Sequence, residues 1–358
     1  MQIKHKWICC LICISILCGC VQKEVLDDIT LVEAIGFDYS EKNRTEGTIL
    51  FPIYLPNQPP KNETYSSKAF IKKTILQDIQ RQVPDPIVTG SIEIILFGSE
   101  LAEKEGVLEL VDAFQRDPGV GSRIFIVIVD GTAKELLEGN YGVRGTATNL
   151  SRLIEHNIKQ EDLPKTNLQK FLFGYYQDGR TPFLPQVKQI ENDKVELSGI
   201  NLFKFGKIID FIPPEKMFFF KLLVDKYSEG LHRVEIEEGE AAIRSIRSSH
   251  KFKLTNRNPM EVDVNIELEG IINEFTGNRL TVAIKNKLQK KFEREINEEC
   301  MKLIKKFMDK QIDPVGFGHF VKTQTRNFDF KKWNEEQYPK LVVNIHSNVK
   351  INEAGVIE

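Results

Sequence analysis

The sequence has almost no cysteine beyond its first twenty positions. Only Cys300 lies outside that stretch. The other five are Cys9, Cys10, Cys13, Cys18 and Cys20. A disulfide loop closed within ten residues would constrain little of the fold, so the cluster is not a disulfide framework. The spacing of these cysteines does not fit a zinc site either, and no His lies among the apolar residues to complete one.

Neither sign of charge dominates the chain. It has 49 Lys and Arg against 51 Asp and Glu, and a formal net charge of −2. Nucleic-acid binding needs a basic face, and the absence of a long basic run argues against nucleic acid as a main partner. With 41% hydrophobic and 28% charged residues, the composition excludes a disordered, collagen-like or polytopic membrane protein. A length of 358 residues predicts two or three domains.

Motifs for catalysis and cofactor binding are also lacking. The sequence has no HExxH, no GxSxG and no GxxxxGK[ST], and Gly119-Val120-Gly121 lacks the third glycine of a dinucleotide fingerprint. A turn after Pro118 explains those glycines better. Cys300 falls in a helical apolar stripe, which favours a buried inert thiol over a nucleophile. The six His residues, at positions 5, 156, 232, 250, 319 and 346, show no metal-like pairing.

An acidic cluster is present late in the middle of the chain and could recruit a cation, although a solvated loop or strand face is favoured. Its members are Glu235, Glu237, Glu238 and Glu240. We therefore predict no enzyme activity, no cofactor and no metal site.

The N-terminus has the pattern of an export signal. Lys4, His5 and Lys6 precede an uncharged apolar run over residues 7–18. As a helix this run spans about 18 Å, short of a hydrocarbon core of about 30 Å, so it predicts a signal peptide over 1–19. Its end, Leu17-Cys18-Gly19-Cys20, resembles the bacterial lipoprotein lipobox. That resemblance implies cleavage after Gly19, with S-diacylglycerol and an N-acyl chain such as palmitate on Cys20. A plain signal peptide or an uncleaved anchor are the alternatives.

The remaining chain alternates strand and helix patterns and predicts an α+β fold with mixed sheets packed with helices. Predicted strands include 91–98, 124–131 and 195–203, and a polar, Pro-rich loop is predicted over 56–64. Pro52 indicates an edge position for the strand over 48–55. A helix is predicted over 101–114.

The C-terminal part predicts a long amphipathic helix over residues 281–310, packed on an antiparallel hairpin or sheet. Its apolar stripe is Ile284, Leu288, Phe292, Ile296, Cys300, Leu303 and Phe307. Residues 341–351 alternate as a strand. We expect three regions after the signal peptide: 20–185, 186–245 and 246–358. The alternative division joins the last two into one C-terminal region, 186–358.

A signature follows the long helix directly. It consists of Gln311, then Asp313-Pro314-Val315-Gly316-Phe317-Gly318, then Trp333, then an alternating strand closed by Gly355. This order resembles the C-subunit family of spore germinant receptors, the Ger(x)C lipoproteins. Three further stretches are similar to that family: Ile35-Gly36-Phe37-Asp38, residues 94–102 with Arg116-Asp117-Pro118, and Leu197 to Phe203. Val21-Gln22 departs from the Trp-Asp that many members carry there.

The resemblance implies three α+β domains and a non-enzymatic subunit, held by lipid on the outer face of the spore inner membrane. It also implies assembly with two integral-membrane subunits, of A and B type, into a complex that responds to small nutrients and triggers germination. Phe218, Phe219, Trp333 and Tyr338 are candidates for the face that meets them, although core positions are equally compatible. The alternatives are a solute-binding lipoprotein of an importer and a tethered hydrolase.

Overall fold

A computed structural model describes residues 28–41, 44–54, 57, 60–70, 74–191, 193–226 and 229–352. The strands are β1 Thr30–Leu31, β2 Ala34–Ser40, β3 Arg44–Ile53, β4 Lys61–Ala69, β5 Ile87–Val88, β6 Ile94–Gly98, β7 Phe125–Val129, β8 Phe183–Glu191, β9 Lys194–Lys204, β10 Lys207–Ile212, β11 Gly230–Ile236, β12 Gly239–Arg257, β13 Met260–Phe275 and β14 Val342–Asn352. The helices are α1 Ile75–Gln80, α2 Ser99–Lys104, α3 Leu108–Arg116, α4 Ala133–Glu138, α5 Thr146–Gln160, α6 Leu168–Tyr176, α7 Pro214–Val224, α8 Val282–Asp309, α9 Phe317–Gln324 and α10 Phe330–Lys332. A π-helical turn, Trp333–Gln337, and a 3₁₀ turn, Tyr338–Lys340, follow α10. The α+β class with mixed sheets is confirmed.

The first half of the chain is organised around an eight-stranded sheet of order β10-β9-β8-β7-β6-β2-β3-β4. Its centre, β2-β6-β7-β8, is parallel, and both flanks are antiparallel. The central strands are apolar on both faces, as expected for strands covered on both sides. Helices α1, α2, α3 and α6 contribute to the core on one face, and α4, α5 and α7 to the core on the other.

The second sheet has four strands in the order β11-β12-β13-β14. Strand β14 pairs parallel to β13 over Glu261↔Val342 to Ile271↔Asn352, so the sheet is mixed and the antiparallel expectation is wrong for this pair. Parallel strands need a long crossover connection, and α8 is part of the connection here. The predicted apolar stripe of α8 is buried from Leu288 to Phe307, and the Thr281 side chain caps the helix by accepting the Ile284 N–H at 3.3 Å.

Helix α7 lies between the two sheets and joins their cores. It contacts β9 of the first sheet and β11, β12 and α8 of the second part. Every residue from Met217 to Leu223 is buried, which is typical of a helix that is apolar all round. Lys221 is the one charged residue in this buried stretch, and it is only 1% exposed. Its ammonium donates to the carbonyl oxygens of Ile158 (3.1 Å), Glu229 (3.2 Å) and Glu161, as a buried charge requires.

Several local predictions differ from the structure. The predicted helix over 101–114 is two helices, α2 and α3, separated at Gly106, whose φ is +88°. The predicted loop over 56–64 runs into strand β4. Strand β3 is not at the sheet edge, but Pro52 lies beyond the last pair with β2, Ala34↔Leu50, so its missing N–H removes no bond to β2. The expected region boundary at 185/186 falls inside β8, and the division into three regions stays a prediction.

Candidate functional site

The signature after α8 forms a tight, buried turn at the start of α9. Asp313 Oδ1 accepts the backbone N–H groups of Gly316 (2.7 Å) and Phe317 (3.0 Å), and Oδ2 accepts that of Gly318 (2.7 Å). Gly316 has φ +88°, a conformation that favours glycine. The carboxylate therefore serves the otherwise unpaired N–H groups of the helix start.

This turn is bound to a second turn, residues 179–181, between α6 and β8. Thr181 N–H donates to the Asp313 carbonyl (2.8 Å), and Asp313 N–H donates to Thr181 Oγ1 (2.8 Å). His319 N–H donates to the Gly179 carbonyl (3.0 Å). A Cβ atom on Gly318 would lie 2.8 Å from Gly179 Cα, so the approach of the two backbones requires glycine. The signature thus fastens the C-terminal part of the chain to the first sheet.

Burial dominates the electrostatics of Asp313. It raises the pKa of this carboxyl to about 6, although the three backbone N–H groups and the charge of Arg180 act in the opposite direction. Arg180 lies on the 179–181 turn, half-buried, with its guanidinium carbon 5.8 Å from the centre of the Phe173 ring. Burial also lowers the pKa of Arg180.

Arg180 lines a small cavity of about 100 Å³ between the end of α6 and the residues that follow α7. Lys165, Lys170 and Asp225 also line it. No sequence pattern predicts this cavity, because its walls come from segments about 60 residues apart.

The N-terminal part of the family-like pattern is structural as well. Asp38 accepts the N–H groups of Ala133 (2.7 Å) and Lys134 (2.9 Å) at the start of α4, and burial raises its pKa to about 6. A Cβ on Gly36 would lie 2.9 Å from that of Ala133, and one on Gly98 would overlap the Asp38 carboxylate. These residues hold helix α4 close against the sheet.

The remaining motif stretches also shape turns and packing. Asp117 accepts from Thr89 Oγ1 (3.0 Å) and Gly119 N–H (2.8 Å), which confirms a turn rather than a dinucleotide loop at Gly119-Val120-Gly121. Gly199 gives space to the Phe211 ring, and Phe203 packs edge-on against Phe171.

The residues considered for chemistry lie apart from one another. Cys300 is fully buried, its thiol donates to the Phe219 carbonyl (3.5 Å), and burial raises its pKa. The prediction of a buried thiol is confirmed. Glu238 forms an ion pair with Lys287, and the Glu235 and Glu240 positions pair across β11 and β12. Within the described ranges, no three His, Cys, Asp or Glu side chains are placed to hold a metal ion.

The histidines are held by packing or lie at the surface. His232 packs against Phe218 and Phe292, with ring centres 5.1 and 5.0 Å away, and its Nε2 is 3.4 Å from Glu295 Oε2. His250 Nδ1 lies 3.1 Å from the Asp225 carbonyl oxygen, and burial lowers its pKa. His156 and His346 are exposed, and His5 lies outside the described residues.

The aromatic residues suggested for a partner face are core residues instead. These are Phe218, Phe219, Trp333 and Tyr338, each at most 4% exposed. Trp333 packs against Tyr338, whose hydroxyl donates to the Ile312 carbonyl (2.5 Å). Exposed aromatic side chains occur elsewhere, at Phe173 and Tyr176 on α6 and at Phe205 in the β9–β10 turn.

The predicted lipidation site, Cys20 with Gly19 before it, lies outside the described residues. In the part of the chain with described coordinates, no helix combines the length and apolar character needed to cross a membrane. Helix α8 is long enough but strongly charged.

Comparison with known proteins gives a consistent result over the whole chain. Residues 22–189 match the model of the spore germination protein N-terminal domain, and residues 198–355 match that of the spore germination B3/GerAC-like C-terminal domain. Spore germination protein GerQC of Bacillus cereus is 30% identical, with 99% of each chain covered. Spore germination protein KC of Bacillus subtilis (strain 168) is 20% identical over 97% of this chain and 94% of its own.

The fold has a solved counterpart. The crystal structure of the GerBC protein matches with a TM-score of 0.60 and 14% identity, over 88% of this chain and 96% of that one. At this identity the likeness concerns the fold. Both domain models, the full-length relative and the ordered motif residues agree, and the chain belongs to the GerAC-like family of spore germination proteins, the C-subunit family of germinant receptors.

Proposed function

We propose that this chain is a lipid-anchored, non-enzymatic subunit of a nutrient germinant receptor and takes part in triggering spore germination. The observation that carries the proposal is the family match, which extends over residues 22–189 and 198–355. The residues that make the family pattern, such as Asp38, Asp313 and Gly318, hold elements of the fold together. A domain whose motif residues are structural is suited to binding partner subunits rather than to catalysing a reaction.

The anchor in this proposal is Cys20. The sequence Leu17-Cys18-Gly19-Cys20 supports cleavage after Gly19 and acylation of the new N-terminus. At about 0.8 kcal/mol per buried CH₂ group, two or more long acyl chains tether a protein stably, whereas one chain does not. The protein then lies on the outer face of the spore inner membrane.

The partners in this proposal are two integral-membrane receptor subunits, of A and B type, and the small nutrient is a ligand of the complex.

An importer-type solute-binding protein would show two similar lobes around a hinge. The two larger described sheets have eight and four strands in unrelated orders, and no finding supports the importer. The hydrolase alternative would need an accessible nucleophile. The Cys300 thiol does not supply one, because it is buried among apolar residues.

The test is replacement of Cys20 by Ala, with Cys18→Ala as the matched control. Alanine is common at the position before the last small residue of a lipobox, so Cys18→Ala should be processed normally. Cys20→Ala should lose the acyl mass, leave the membrane fraction and slow germination in response to nutrients. Mass spectrometry of the isolated chain measures the acyl mass, immunoblots of the spore fractions measure membrane retention, and the loss of optical density after nutrient addition measures germination.

Membrane retention and normal nutrient germination in Cys20→Ala spores, at unchanged protein level, would contradict the proposed anchor. Deletion of the whole chain with no change in response to any nutrient would contradict the receptor role itself. Calorimetric titration of the purified chain with amino acids and sugars separates the importer, because an importer's binding protein binds its solute without other subunits.

A further inference from the structure

We propose that the cavity beside Arg180 binds the carboxylate group of a small molecule. We refer to it as the Arg180 cavity. Its lining residues are Lys165, Thr166, Lys170, Phe173, Gly174, Arg180, Thr181, Pro182, Phe183, Val224 and Asp225. The site lies where the end of α6 meets the residues after α7, so its walls come from both parts of the fold. This inference goes beyond the receptor role and does not depend on it.

The Arg180 guanidinium has donors without a partner. Among the described residues, none forms a hydrogen bond or an ion pair with it, and its ring contact is with Phe173. Its two neighbouring carboxylates are used elsewhere: Asp313 accepts three backbone N–H groups, and Asp225 Oδ2 accepts the N–H of Lys165 (3.0 Å). The half-buried guanidinium therefore has five N–H donors that no described protein acceptor uses. It is suited to a ligand that supplies hydrogen-bond acceptors.

The chemistry of those donors favours a carboxylate. Guanidinium presents two parallel N–H groups that match the two oxygens of a carboxylate. Thr181 can add a third donor, because its Oγ1 accepts from Asp313 N–H and so retains its own hydrogen. The Phe173 ring covers the guanidinium and limits its orientation.

The charge of the lining points the same way. Lys165 and Lys170 are exposed at the cavity, and Asp225 is the one acidic side chain among the lining residues named above. With Asp313, the second carboxylate near Arg180, three cationic side chains stand against two anionic ones. The net charge stays positive, which attracts small anions.

The size limits the ligand. A cavity of about 100 Å³ has room for several water molecules. Such a space accepts a small carboxylate such as acetate, and it excludes a folded segment of another protein. The ligand class is therefore a short-chain carboxylate that enters from solution.

The experiment is titration of the purified full-length chain, kept in detergent, with sodium acetate by calorimetry. Sodium chloride replaces acetate in the reference so that ionic strength is constant. We expect saturable acetate binding. Arg180→Gln should weaken it by about tenfold or more, since it removes charge-assisted hydrogen bonds, and Lys170→Gln by about two- to threefold. Arg152→Gln makes the same charge change at an exposed position of α5 that does not line the cavity, and should leave binding unchanged.

Circular dichroism of each variant distinguishes loss of the ligand site from loss of the fold. If Arg180→Gln does not fold, acetate binding by Arg180→Lys and Lys170→Gln tests the site. Arg180→Lys keeps the positive charge but loses the paired N–H donors. Absence of acetate binding by the wild-type chain, or equal affinity in all folded variants, would overturn the proposal. Neither result affects the receptor role, which is tested in spores.

Discussion

Replacement of Gly318 by Ala tests the close contact between the signature turn and the 179–181 turn. The new Cβ would lie 2.6 Å from Trp333 Nε1 and 2.8 Å from Gly179 Cα. The indole ring is fully buried, and the other neighbour is backbone. Neither group can move aside by a simple rotation of a side chain.

The expected magnitude follows from two opposing effects. Overpacking of a filled core reduces the free energy of unfolding by typically about 1–3 kcal/mol. Alanine within a helix is favoured over glycine by about 0.5–1 kcal/mol, and Gly318 lies in α9. Because two contacts are violated at once, the overpacking effect should prevail. We expect a net loss of about 1–2 kcal/mol.

Urea unfolding measures this loss, and the matched control is Gly121→Ala. A Cβ at Gly121 would have its nearest neighbour at 4.0 Å, so that variant should stay within about 0.5 kcal/mol of wild type. Trp333 reports the site directly, because the other tryptophan, Trp7, lies in the predicted signal peptide. Equal stability of the two variants, with unchanged tryptophan fluorescence, would refute the close approach of these two turns.

Three further predictions concern buried polar groups. The Cys300 thiol should resist a thiol reagent in the native chain and react in urea; rapid native labelling would contradict its burial. Burial raises the pKa of Asp313 to about 6 from its usual 3.8. Between these two pH values the folded chain therefore holds a proton that the unfolded chain has lost. The contribution of Asp313 to stability falls as the pH rises from about 4 to about 6. Compared with Asp313→Asn, wild type should lose up to about 3 kcal/mol of unfolding free energy over that window, and parallel pH profiles would contradict this. Lys221→Met should reduce the free energy of unfolding by about 2–4 kcal/mol, because three carbonyl groups lose their donor. Lys216→Met on the same helix removes a half-exposed ion pair and should change the free energy of unfolding by under about 1 kcal/mol. Equal losses of the two variants in urea unfolding would contradict the role of Lys221.

The sequence predicted best where one pattern controls a long element. The stripe of α8 and the alternation from Val262 to Leu268 each repeat over many residues, and the structure buries both as expected except for Ile284, which is half-buried. Strand β4 was missed because most of its side chains are polar and half-exposed, so it shows no alternation. Its pairing with β3 sets its conformation, and that pairing is a tertiary contact.

Contacts between distant segments explain the other differences. The parallel direction of β14 depends on where α8 delivers the chain, which no local pattern encodes. Gly106 interrupts the predicted helix because the loop that follows bonds to a distant hairpin, with Val107 N–H donating to the Gly206 carbonyl (2.9 Å). The Arg180 cavity could not be predicted for the same reason. By contrast, the ordered motif residues predicted the family correctly, because their spacing along the chain is itself the signal.

Helix α8 connects the two sheets through ion pairs spread along its length. Its 28 residues span about 42 Å. Lys287 near its start pairs with Glu238 in the β11–β12 turn, Glu299 pairs with Lys216 of α7 (2.6 Å), and Lys306 near its end pairs with Asp210 of β10 (3.0 Å). One continuous helix therefore bridges the β11–β12 hairpin and the β10 edge of the eight-stranded sheet.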